Sequence, residues 1–288
     1  MKYKTKLIIT KLRDTKPFKV VRYFYHMYLK LKNKIIKMSA YASVKTQGRY
    51  SEVSIGKYKL ILDKAEIHDY SMMLSIKKGK IYEPEVTKYI TQELMQGQTF
   101  MDIGANNGYY TVLTSQIVGP KGRVLSVEPN YIAFNRLMKN VEKNELNNVS
   151  TYNFALSDFN GKANLHLNTD SEDGLASLLN VTEESVLTTV NVNKFDDVFE
   201  NETIDLVKMD AEGSEIAILR GMENYLLVHK KIKIIIEWNQ SYRTIDDFEY
   251  IKKNFEIFLL LCENGTPKKI TINYYSQLVF SNLLLIPK

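Results

Sequence analysis

Residues 99–111, TFMDIGANNGYYT, decide the fold. An apolar run ends in an acid, Asp102, and is followed by a turn of small residues and then by the start of an amphipathic helix. A strand that runs into Gly104, Ala105, Asn106, Asn107 and Gly108 brings bare backbone close to a ligand, with the free N–H groups of a helix N-terminus nearby. The stretch reads as the cofactor-binding turn of an α/β protein.

Spacing selects the cofactor. A dinucleotide fingerprint needs glycine at the first, third and sixth places of the turn. Here the first is Gly104, the third Asn106, the fifth Gly108 and the sixth Tyr109, so NAD is disfavoured. Asp102, Gly104, Asn106 and Gly108, at every second place, resemble the first motif of class I S-adenosylmethionine-dependent methyltransferases, with Asn106 where that motif has its middle glycine. Asn is one of the few other residues that tolerate a left-handed backbone.

Outward from this turn, strand and helix signals alternate. Strands are expected at 99–103, 123–128, 149–154, 204–210, 232–237, 255–262 and 278–286, and helices at 108–118, 131–144, 215–226 and 244–254. Such alternation predicts a mostly parallel sheet wrapped by helices. Residues 161–195 are less regular, with β-like GKANLHLN and TTVNVNKF flanking a polar loop. Before the turn, residues 53–63 read as a hairpin or edge strand. A helix is expected to start near Pro84 with Glu85 in its first turn, and the segment around it carries His68, Asp69, Tyr70, Tyr82 and Glu83 toward the main domain.

The charge is unevenly spread. Residues 1–50 hold 14 Lys or Arg against one acid, Asp14, leaving 25 against 32 for the rest: a strongly basic head on a mildly acidic body. Within the head, Phe18, Val21, Tyr25, Tyr28, Leu31 and Ile35 recur three or four apart, predicting a helix over 17–38 with one apolar stripe. The simplest expectation is that this stripe packs on the body. The second is an interfacial helix drawn to anionic lipid, and a third is nucleic acid. The one cysteine, Cys262, lies in the apolar run FLLLC and reads as a buried thiol in a reducing compartment. No apolar run approaches a membrane span, and LII at 7–9 is too short for a signal-peptide core. The expected location is the cytoplasm, at the inner face of the membrane if the head binds lipid.

The residues that carry chemistry sit at strand ends, where open α/β sheets bind ligands. Glu128 ends the second strand, where it can accept both hydroxyls of a ribose, and Pro129 and Asn130 shape the turn after it. Ala155–Asp158 follows the third strand, and Ser157 and Asp158 are candidates to receive an adenine, although Ser-Asp before Asn160-Gly161 is also an ordinary turn. The fourth strand delivers Asp210 and Glu212, and the fifth Glu237. These carboxylates could converge to hold a hydroxyl, act as base or share a divalent cation.

Together, DIGANNGYYT, VEPN (127–130), ALSD (155–158), KFD (194–196), KMDAEGSE (208–215), RG (220–221), IIIE (234–237), SNLLLIP (281–287) and YEPE (82–85) resemble the FkbM-type methyltransferase family over residues 80–288. The resemblance implies a class I (Rossmann-like) α/β fold with a seven-stranded, mostly parallel sheet. The chain is expected to divide into a basic helical extension (1–50), a lead-in covering the active site (51–98) and the methyltransferase domain (99–288). The resemblance also implies S-adenosylmethionine bound by Asp102, Gly104, Ala105, Asn106, Gly108 and Glu128, and an acceptor site lined by Asp210, Glu212, Glu83 and Glu237. KFD stands where the family usually has a TLD-like triplet, and KMDAEGSE is a mild variant of KIDVEGAE.

The activity so implied is O-methylation of a sugar, glycolipid or related small molecule, with Asp210 or Glu212 as base, directly or through a divalent cation held by Asp210, Glu212 and Glu237. Two rivals are a non-enzymatic protein that docks on a membrane or polyanion and an RNA methyltransferase. An NPPY-like fourth-strand motif is absent, and the positive charge lies outside the catalytic domain, which argues against nucleic acid. Acceptor identity and oligomeric state are not encoded in any motif.

Overall fold

The computed structural model describes residues 16–168, 176–177, 185–260, 267–269, 278 and 280–288. The start of the basic head, the side chains of Phe18, Val21 and Tyr25, the polar loop inside 161–195 and Cys262 lie outside the described residues. The described residues begin with helix α1 (Lys16–Gln47), the hairpin β1 (Tyr50–Ile55) and β2 (Tyr58–Asp63), then α2 (Ile67–Lys77) and α3 (Pro84–Glu93). The alternating core follows with β3 (Thr99–Ile103), α4 (Tyr109–Val118), β4 (Arg123–Val127), α5 (Tyr131–Lys143) and β5 (Val149–Tyr152). A second sheet contains β6 (Ala155–Ser157), β7 (Gly161–Asn168), β8 (Ala176–Ser177) and β9 (Ser185–Lys194), followed by the short helix α6 (Phe195–Phe199). The core resumes with β10 (Leu206–Met209), α7 (Glu215–Gly221), α8 (Glu223–Val228), β11 (Lys233–Asn239), α9 (Ile245–Asn254), β12 (Phe255–Leu260), β13 (Pro267–Lys269) and β14 (Phe280–Pro287).

The main sheet has the order β13-β12-β14-β11-β10-β3-β4-β5. β5, β4, β3, β10 and β11 run parallel, and β14 lies antiparallel between β11 and β12. Seven of these strands are the expected ones, and β13 adds a three-residue edge. From β3 the chain steps outward through β4 and β5, then crosses back to β10 on β3's other side. That reversal opens a crevice at the carboxyl ends of β3 and β10, the switch point where open α/β sheets bind ligands.

The central strands are mostly apolar because helices and loops cover both faces, with Asp102, Ser126 and Lys208 as buried exceptions. The pleat sends alternate residues to opposite cores. Met101, Ile103, Val207, Met209, Ile234 and Ile236 join Trp238 and Phe248 on one side. Phe100, Leu206 and Ile235 join Leu60, Leu62, Tyr89, Ile90 and Val112 on the other. The hairpin, α2 and α3 thus share one apolar cluster with a sheet face.

Two expectations change. The helix expected over 215–226 breaks at Met222, whose backbone leaves helical geometry. The break lies beside Gly221, which meets β6 so closely that a Cβ there would stand 2.0 Å from the Ser157 carbonyl oxygen. The stripe on α1 does not pack on the body where its side chains are described: Tyr28, Leu31 and Ile35 are 60%, 58% and 59% exposed. Ile36 and buried Ala40 face the body instead, and the Ser39 hydroxyl bonds the Tyr70 hydroxyl at 2.7 Å.

The crossing at Gly221 has a measurable consequence. Gly→Ala in an open helix is stabilising by roughly 1 kcal/mol. Gly221→Ala should instead destabilise by about 1–3 kcal/mol through overpacking against backbone, measured as a lower urea midpoint at unchanged slope.

Candidate active site

The turn after β3 is built on alternating left-handed residues: Gly104 at φ 77°, Asn106 at 50° and Gly108 at 86°. Gly104 is required by contact as well as by φ, since a Cβ there would lie 1.9 Å from the Asp210 carbonyl oxygen. The N–H groups of Gly104 and Ala105 donate to the Val127 carbonyl at 2.9 and 3.1 Å. The Asn106 N–H donates to Glu128 Oε2 at 2.8 Å, and the Asn130 N–H to Oε1 at the same distance. Each Glu128 oxygen therefore keeps a lone pair for a ligand. Burial lifts the Glu128 pKa to about 7, against the pull of those two N–H groups and Arg136.

Asp102 has a different place from the one its position in the motif suggests. It is buried under the turn, accepts from the Thr111 hydroxyl at 2.8 Å and does not line the cavity. Gly108 is likewise outside the lining and caps α4 with its backbone. Ser157 and Asp158 lie outside it too, and the preceding Ala155 and Leu156 line it instead. Ala105, Asn106, Glu128, Pro129 and Asn130 line it as a group.

The other end of the same cavity is acidic. One carboxylate oxygen from each of Asp210, Glu212 and Glu237 lies within 4.8 Å of the others. Glu83 joins them from the start of α3, accepting from the Tyr110 hydroxyl at 2.7 Å. Among these acids sits Lys208, buried, with Nζ 3.0 Å from Asp210 Oδ2 and 5.0 Å from the centre of the Tyr110 ring. Burial alone would lower the Lys208 pKa, but the charges of Asp210, Glu83 and Asp102 outweigh it and hold the ammonium above its ordinary range. Glu237 moves most. Burial, then the charges of Asp210, Glu212 and Glu83, push it up to about 10 despite Lys208, so it carries a proton at neutral pH. Asp210 Oδ1 is buried without a protein partner.

This acidic floor is held in shape from behind. Glu215 accepts from the Ala211 N–H at 2.7 Å and the Gly213 N–H at 3.1 Å, and forms a buried ion pair with Arg243. Arg243 also donates to the Gly213 carbonyl at 2.6 Å. The turn puts Glu212 at φ 48°, a left-handed conformation costly for Glu.

His68, Tyr82 and Glu83 of the lead-in, expected to be carried toward the main domain, line the cavity. His68 Nε2 is 2.6 Å from the Tyr82 hydroxyl, and Nδ1 stands 3.8 Å from Asp69. Burial works to lower the His68 pKa, but Asp69, Glu83 and Asp210 outweigh it and raise it. Asn107 donates to Asp69 at 2.7 Å, tying the turn to α2. Tyr82, Tyr109 and Tyr110 form an edge-to-face aromatic wall. Lys208 was detectable in the sequence as a cation inside an apolar strand.

A mostly parallel sheet with an antiparallel strand set between β11 and β12, a glycine-lined turn after the first core strand and an acid closing the second define a class I methyltransferase. The FkbM methyltransferase domain matches residues 102–265, and the chain belongs to that family of S-adenosylmethionine-dependent methyltransferases. It is similar to the hexuronic acid methyltransferase AglP of Haloferax volcanii, 26% identical over 147 residues, covering 50% of this chain and 58% of that protein. The chain spans 29% and 58% of the length of curated relatives it matches. Among solved structures it aligns with a TehB-like S-adenosylmethionine-dependent methyltransferase of Corynebacterium glutamicum (TM-score 0.43, 11% identity, 76% of this chain and 95% of that one). It aligns also with a S-adenosylmethionine-dependent O-methyltransferase of Thermotoga maritima (TM-score 0.42, 13% identity, 84% and 77%).

A ribose that donated to Glu128 would favour its ionised form, so binding below the pKa of about 7 would release a proton. S-adenosylhomocysteine affinity should therefore be about tenfold weaker at pH 6 than at pH 8, one proton per pH unit. Titration calorimetry in buffers of different ionisation enthalpy checks this, and Glu128→Gln should flatten the pH dependence.

Proposed function

We propose that the protein transfers a methyl group from S-adenosylmethionine to a hydroxyl of a sugar-bearing acceptor, with Asp210 taking the proton. The observation that carries this reading is a single cavity of about 500 Å³ that joins the Gly104–Asn107 turn and Glu128 to Asp210, Glu212 and Glu237. The bound cofactor supplies a methyl group on a sulfonium, already activated for transfer. The protein's tasks are alignment, exclusion of water and removal of the hydroxyl proton, and alignment alone is worth on the order of 7–11 kcal/mol.

Gly104, Ala105, Asn106 and Glu128 hold the cofactor, and Pro129 and Asn130 shape its ribose end. Asp210 Oδ1, with no protein partner, receives the acceptor hydroxyl, while Lys208 on Oδ2 balances the charge. Protonated Glu237 donates to an acceptor oxygen, and Glu83 and Glu212 complete a floor suited to the uncharged hydroxyl face of a ring. The similarity to a hexuronic acid methyltransferase supports a sugar acceptor.

The closeness of the three acid oxygens favours one second reading. Asp210, Glu212 and Glu237 offer hard oxygen donors to a divalent cation, which would polarise the acceptor oxygen.

The two readings separate on one pair of variants. With Glu237 protonated, Glu237→Gln should keep turnover near wild type, whereas Asp210→Asn should lose about 10²–10⁴-fold in kcat with S-adenosylhomocysteine affinity unchanged. Loss in both variants, together with activity abolished by a chelator and restored by Mg²⁺, would establish the cation instead. Full turnover in Asp210→Asn would exclude Asp210 as the base.

A further inference from the structure

Helix α1 has two working faces. Its outer face shows Tyr28, Leu31, Ile35, Met38 and Tyr41, three or four apart and between 58% and 65% exposed. Lys32, Lys34, Lys37 and Lys45 are exposed alongside them. Over its 32 residues the helix carries seven Lys, one Arg and no acid, on a body whose own charge is negative. The inner face belongs to the site: Lys32, Asn33 and Ile36 line the same cavity as Glu83, Asp210 and Glu237, beside Ile67, His68 and Met72 of α2.

We propose that α1 lies on an anionic bilayer through its outer stripe and forms the membrane-side wall of the acceptor cavity, so that the methylated hydroxyl is one carried on a lipid. This rests on the methyltransferase reading for the acceptor, and on charge and exposure alone for the docking. Apolar and aromatic side chains in a continuous stripe, with lysines on its flanks, match the acyl–headgroup boundary, where each buried side chain and each cation adds affinity. No helix among the described residues is long and apolar enough to cross a membrane, so α1 lies on the surface. A nucleic acid would use the lysines and leave Leu31, Ile35 and Met38 in water. The inner face explains why docking serves catalysis: a helix resting on headgroups places the cavity edge at Lys32, Asn33 and Ile36 beside the lipid layer, and a lipid-borne sugar reaches Asp210 without leaving the surface.

The test uses the full chain and the double variant Leu31→Glu/Ile35→Glu, at two exposed positions outside the cavity lining. Wild type should sediment with phosphatidylcholine–phosphatidylglycerol vesicles, less so at high salt, and weakly with phosphatidylcholine alone. The variant should bind at least about tenfold more weakly while keeping wild-type S-adenosylhomocysteine affinity, which shows that it is folded. Equal sedimentation of both proteins overturns the docking. So does a stripe consumed by self-association, seen as a concentration-dependent dimer that the variant dissolves, or by a single-stranded RNA probe that binds both proteins alike. The acceptor half is read with tritiated methyl donor on host membranes: label should enter the chloroform-extractable fraction and fall at least about fivefold with the double variant. Label confined to water-soluble glycan overturns the lipid acceptor. Failure of the methyltransferase reading looks different, since vesicle binding would persist with no S-adenosylhomocysteine binding by either protein.

Discussion

The ammonium of Lys208 is the charge on which the site depends. Gathering Asp210, Glu212, Glu237 and Glu83 around one cavity is unfavourable, because like charges removed from water repel strongly and lose hydration. Lys208 offsets part of that cost from inside β10, 3.0 Å from Asp210, with the Tyr110 ring against it. The proton on Glu237 offsets more. A buried cation and a raised Glu237 let four acids share a floor, in which Asp210 Oδ1 is buried without a protein partner.

The backbone around that floor is held in costly conformations. Four non-glycine residues among those described have positive φ, and three of them, Glu83, Asn106 and Glu212, line the cavity. Each costs of order 1–3 kcal/mol, which persists only where the surroundings over-determine the conformation. The surroundings here are specific. Tyr110 bonds Glu83, Glu128 bonds the Asn106 N–H, and the Glu215–Arg243 pair grips the turn that presents Glu212. The last Glu of KMDAEGSE is therefore a brace for the acids before it rather than a fifth member of the floor.

Legibility differed between parts of the molecule for physical reasons. The core strands were legible because parallel strands covered on both faces must be apolar and end where a ligand begins, so β3, β4 and β10 lay within a residue or two of their expected bounds. The break at Met222 was not, because it depends on β6, a segment more than sixty residues earlier, pressing on Gly221. The outward stripe of α1 was misjudged for a related reason: periodicity states that a helix has an apolar side, not which side meets the body. Asp102 illustrates a third case, since despite its place in a ligand motif it accepts from Thr111 beneath the turn and does not line the cavity.

By itself the sequence determined the sheet, the left-handed turn at Gly104, Asn106 and Gly108, the acid at the end of each relevant strand and the family. Those features are local, written in period, spacing and the conformational tolerance of single residues. Tertiary structure alone decided that burial and neighbouring acids raise Glu237, that Arg243 braces Glu215 and that α1 lines the site while exposing its apolar stripe. Each of those depends on which distant groups come within a few ångströms, where burial and charge set protonation and exposure, and no spacing along the chain records that distance.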